Sequence, residues 1–310
     1  MEQKSKGLRS VSGSAPVRDL KDLKLQDIDS PTFVVGLPGI GNVGKIVTDY
    51  IIEHLNAKEI GKFYVDTPPM VFPTQDGIEF PSVRMYHASY GKSGKNVNES
   101  KSQGKKNGKN GKEGKKNSFL FIAGDYQPRE AKCFDFCAQV LDIFQKVKGK
   151  EIIILGGASL PAMGKTPEVY AISSKNELMK RYSKIAPGLK TAHGNLGPIV
   201  GVAGVLLGMA KDKNIDATAF LTETTDKNYF DSRSVSKALE LLNKLTGISV
   251  DTKKFDARVK NIDAGISALH DLLEGSRERC RLARKRAVDL SLRPRVKRTL
   301  ILVILGEVKS

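Results

Sequence analysis

The chain has 310 residues, 40% of them apolar and 6% aromatic with no Trp, enough length and apolar content for one sizeable soluble core. Its net charge of +17 is concentrated: residues 90–118 hold nine Lys against two Glu, residues 276–310 hold eleven basic against three acidic side chains, and the rest carries only +2. A body so nearly neutral argues against nucleic-acid binding, and no apolar run reaches the roughly 18–20 residues that cross a bilayer.

Residues 1–30 are polar before a short apolar periodicity at Leu20, Leu23, Leu25 and Ile28, and read as a flexible leader without the apolar block of a secretion signal. Thr32 to Val35 predicts a buried strand. Gly36, Pro38, Gly39, Gly41 and Gly44 then mark a tight turn, after which Val43, Ile46, Val47, Tyr50, Ile51, His54 and Leu55 recur at helical spacing. KEIGKFYVD predicts a second strand ending at Asp66. Pro68, Pro69, Pro73 and Pro81, with Asp76-Gly77, predict an antiparallel excursion with a hairpin turn. Residues 90–118 form a Lys/Gly-rich insertion that cannot bury enough surface to fold. Strand-like segments on either side make it a hairpin loop grown long.

SFLFIAGD is the next buried strand, ending at Asp125. Glu130 to Lys148 predicts a helix with Phe134, Cys137, Val140, Leu141 and Phe144 on its apolar face. Glu151 to Gly157 is an apolar strand of the kind buried on both faces of a parallel sheet. A loop, a short strand and a helix near Asn176 to Tyr182 follow. Pro198 opens a predicted helix that sets Gly197, Gly201, Gly204 and Gly208 three or four residues apart, a stripe for close packing on the sheet or on a second subunit. A strand ends near Glu223, and amphipathic helices at Ser232 to Leu245 and Phe255 to Glu274 complete a single α/β domain over residues 31–275. The tail, 276–310, turns to Arg usage, with eight Arg and three Lys, and reads less as a basic surface-binding tail than as sequence of different origin, such as a shifted reading frame.

The glycine turn admits three readings. Gly39-Ile40-Gly41-Asn42-Val43-Gly44 fits the dinucleotide fingerprint, with Asp66 placed as a ribose-binding acid. The prolines after Asp66, however, divert the chain where a Rossmann half continues through a helix. Gly39 to Lys45 fits the glycine and lysine spacing of a P-loop, but Ile46 replaces the magnesium-binding Ser or Thr. In the third reading the turn packs closely and starts a helix, and Gly39, Gly41, Asn42, Gly44 and Lys45 are the candidates for an anion site on exposed amides.

Asp66, Asp125 and Glu223 each end a predicted strand, so on adjacent parallel strands they would line one ligand-binding rim; the alternative is turn formation, the common task of such acids. Gly157-Ala158-Ser159-Leu160-Pro161 approaches a nucleophile elbow, but Pro161 replaces its second glycine. His54, His87, His193 and His270 lie in no metal-ligand spacing, and His193 is the one to test as a base. Cys133 and Cys137, one helical turn apart with no nearby His, read as core residues. Neither a metal nor a cofactor is expected, and the few cysteines make a reduced cytoplasm the expected location.

Longer stretches carry a resemblance: GLPGIGNVG at Gly36 to Gly44, DTPPMVFP at Asp66 to Pro73, the strand glycines Gly156 and Gly157, the glycine-bearing helix at Gly201 to Gly208, and Leu221 to Asp251. In this order and spacing the chain resembles the proteasome assembly chaperone family, its type-2 branch and archaeal relatives, over about residues 30–275. The resemblance implies a three-layer α/β/α sandwich with a mostly parallel sheet, similar to purine nucleoside phosphorylases. It also implies a homo-oligomer that works without bond chemistry, through protein–protein binding to proteasome α-subunits or related assembly factors. Relatives that dock on the proteasome are expected to end in a hydrophobic–Tyr–any-residue tail, whereas this sequence ends Val308-Lys309-Ser310. The competing class is a nucleotide-dependent enzyme, an ATP-grasp-like ligase or hydrolase, built on the Gly39–Lys45 turn. Nucleic-acid binding through Lys-rich residues 92–116 is a third, and steep salt dependence would mark it.

Overall fold

The computed structural model describes residues 28–63, 70–74, 77–91, 117–160, 164–225, 231–252 and 255–257. Its first elements are β1 (Thr32–Gly36), α1 (Val43–His54) and β2 (Lys58–Phe63), then the short strands β3 (Phe72–Thr74) and β4 (Gly77–Glu79). β5 (Val83–Tyr90), β6 (Asn117–Gly124), α2 (Glu130–Lys146) and β7 (Glu151–Ser159) follow. The second half holds β8 (Val169–Ser173), α3 (Asn176–Ile185), β9 (Lys190–Thr191), α4 (Gly201–Asp212), β10 (Ala217–Thr224) and α5 (Ser232–Thr246).

One eight-stranded sheet runs in the order β2-β5-β6-β1-β7-β10-β8-β9. Its centre, β6-β1-β7-β10, is parallel throughout. β5 runs antiparallel to β6, β2 antiparallel to β5, and β8 antiparallel to β10. The central strands are apolar on both faces because helices cover both. Val34, Phe121, Ile153 and Phe220 pack under α1, α3 and α5. Phe33, Val35, Leu120, Ile122 and Ile154 pack under α2 and α4. The result is the α/β/α sandwich expected from the sequence, and full burial of each such side chain contributes about 1.5–3 kcal/mol.

The proline-rich excursion contains a hairpin, with Phe72 opposite Glu79, and rejoins the sheet at β5. β5 and β6 pair up to Tyr90 opposite Asn117. Residues 92–116 between them, like Asp66, residues 1–27 of the leader and the tail, lie outside the described residues. So does most of the last predicted helix, of which Phe255 is seen edge-to-face with Tyr50 at 4.4 Å.

Two local expectations are corrected. On α2 the buried stripe is Cys133, Phe136, Cys137, Val140, Leu141 and Phe144, while Phe134, one position round the helix from Cys133, is 63% exposed. α4 begins at Gly201 rather than at Pro198, so Gly197 precedes the helix. Gly201 turns the chain into the helix with a φ of 73°. α4 meets the sheet side with Val202, Leu206, Leu207 and Ala210. Along its glycine stripe, a Cβ at Gly204 would stand 1.9 Å from the Ile199 carbonyl oxygen of the preceding loop, whereas one at Gly208 would meet open space.

Candidate functional site

The carboxyl ends of β6, β1, β7 and β10 lie at one end of the sheet, where the glycine turn follows β1. The turn closes through a single 3-10 turn, Ile40–Asn42, in which the Asn42 amide donates to the Gly39 carbonyl at 2.9 Å. Gly41 (φ 60°) and Asn42 (φ 47°) are both left-handed, a conformation these two residue types tolerate. Gly44 in the first turn of α1 is demanded by space: a Cβ there would stand 2.1 Å from the Leu155 carbonyl oxygen of β7. The Ile40 carbonyl oxygen presses equally on Gly157, and Thr224 at the end of β10 fills the space beside Gly41. The loop therefore lies against neighbouring backbone on its inner side.

Lys45 is 3% exposed. Its ammonium donates to Asp49 Oδ2 and to the Gly124 carbonyl, each at 2.9 Å. It is held in the seam between α1 and β6, at the end of the strand that precedes Asp125.

Asp125 and Glu223 do the same thing in two places. The Asp125 amide donates to the Ser82 carbonyl, and its carboxylate accepts the Ser82 amide, both at 3.1 Å. The Glu223 amide donates to the Glu168 carbonyl at 2.8 Å, and its carboxylate accepts the Glu168 amide at 3.1 Å. Each acid thus closes an antiparallel pair, β6 with β5 and β10 with β8. β6 and β10 are parallel but have β1 and β7 between them, about 14 Å at the usual strand spacing. Beyond Glu223, Asp231 caps α5 by accepting the Arg233 amide at 2.8 Å. Burial pushes the Asp231 carboxyl up, but hydrogen bonds from Arg233 and the Ser234 amide outweigh this and hold it below its ordinary value.

A cleft of about 230 Å³ opens beside the turn. Val35, Leu37, Ile154 and Val202 are among its lining; Gly39 and Ile40 form one wall, Leu196 to Val200 another, and Gly156 to Ser159 a third. Gln127 joins two of these walls. Its Nε2 donates to the Pro38 carbonyl, and its Oε1 accepts the Val202 amide at 3.2 Å. Among the described residues, no Lys, Arg, His, Asp or Glu lines the cleft.

The sequence did not point to Gln127: a lone glutamine before Pro128 has no signature, and its partners are far away in the chain. Ser159, from the elbow-like stretch, lies exposed at the cleft edge. His193 is exposed in the turn after β9 and does not line the cleft. Burial pushes the thiols of Cys133 and Cys137 up, so they stay protonated in the core. No helix among the described residues is long and apolar enough to cross a membrane.

The fold and this end of the sheet define a three-layer α/β/α protein whose glycine turn is packed on its own sheet and whose cleft, among the described residues, is lined by no charged side chain. The chain belongs to the PAC2 family, which it matches over residues 33–270. The uncharacterized protein MJ0106 of Methanocaldococcus jannaschii is 26% identical over 251 residues, covering 80% of this chain and 87% of that protein. Among solved structures, Pyrococcus furiosus PbaB, an archaeal proteasome activator, is 24% identical with a TM-score of 0.63, covering 79% of this chain and 95% of that one. Pyrococcus furiosus PbaA, an archaeal homolog of proteasome-assembly chaperone, is 21% identical with a TM-score of 0.61, covering 86% of this chain and 96% of that one. The resemblance read in the sequence is thus shown at the level of family and fold.

Proposed function

We propose that this chain is a cytoplasmic proteasome assembly chaperone-like protein that works by binding proteins, with proteasome α-subunits as partners and a homo-oligomer as its working form. Family membership supports the chaperone-like role, and similarity to PbaB and PbaA extends it to the proteasome. The observation that carries the reading is at the glycine turn. Its lysine is engaged inside the protein, while the neighbouring cleft has no charged side chain among the described residues of its lining and includes exposed Ile40 and Val200. Phosphoryl chemistry needs cations aimed outward at phosphate; apolar groups left in water suit a protein contact.

Capture of the tagged chain from its native cells at physiological salt tests the proposal. Proteasome α-subunits are expected to co-purify. Their reproducible absence, with ATP hydrolysis by the pure protein, overturns it in favour of an enzyme.

A further inference from the structure

We draw no further inference here: the strongest candidate, the surface patch that exposed Val71, Ile78 and Phe80 form on the β3–β4 hairpin, carries nothing because nothing in the structure shows what covers it.

Discussion

Lys45 occupies the position where a P-loop lysine reaches phosphate, yet its charge is satisfied from within by Asp49 and the Gly124 carbonyl. Removing one partner of a buried pair leaves the other charge uncompensated. Lys45→Met is therefore expected to destabilise the fold by about 3–5 kcal/mol, read from urea unfolding midpoints; an unchanged midpoint would show that the ammonium is free for a ligand. Asp231 gives a pH signature. Its folded pKa lies below the ordinary 3.8, so the folded state binds its proton less readily than the unfolded chain. Its contribution is present above about pH 4 and is lost as the pH falls through the folded value. Asp231→Ala should cost about 1 kcal/mol at pH 7 through loss of the α5 cap. The gap from wild type should narrow on acidification below pH 3.8, and a gap independent of pH would contradict the charge-based account. At this scale the sequence named Lys45, Asp125 and Glu223 and placed each near a strand or helix end. What it could not give was their hydrogen-bond partners, because Gly124, Ser82 and Glu168 come from remote segments.

Among the elements, α1 and α4 use glycine for opposite reasons. Gly44 lies against the β7 backbone, so Gly44→Ala overpacks a site with no flexible neighbour and should cost about 1–3 kcal/mol or more. Gly208 faces open space within a helix. Gly208→Ala should stabilise the isolated chain by about 0.5–1 kcal/mol. Thermal unfolding of the two variants should shift in opposite directions, and a loss for Gly208→Ala would mean that a second backbone approaches there. Hydrophobic periodicity made the central strands and α1, α2 and α5 legible. The start of α4 was misplaced because Pro198 suits a first helical turn, whereas the turn is set by the left-handed Gly201 and by a distant glutamine. Phe134 was misassigned because i+3 spacing to Cys137 fits a buried stripe almost as well as Cys133 does.

For the whole molecule, the parallel centre and the antiparallel hairpin of β5 and β6 follow from chain order and apolar patterning, but the antiparallel direction of β8 and the strand order do not. Periodicity reports which face of a strand is buried and is silent about its neighbours. The cleft was illegible for the same reason, since its walls come from three separated stretches. The hairpin pairing at Tyr90 and Asn117 gives a direct test of the Lys-rich insertion. Replacing residues 91–116 by Asn-Gly, the preferred two-residue hairpin turn, should leave the fold intact. It should raise stability by about 1–2 kcal/mol through the shorter closure, read by calorimetry. Loss of folding would show that the insertion contributes to the core.

Gln127 touches the chain just after β1 with one end of its carboxamide and the opening of α4 with the other. Such a planar group acts as a strut of fixed length. Two stretches remote in the chain are in this way tied together through one side chain, and its loss would leave the Pro38 carbonyl and the Val202 amide to find other partners.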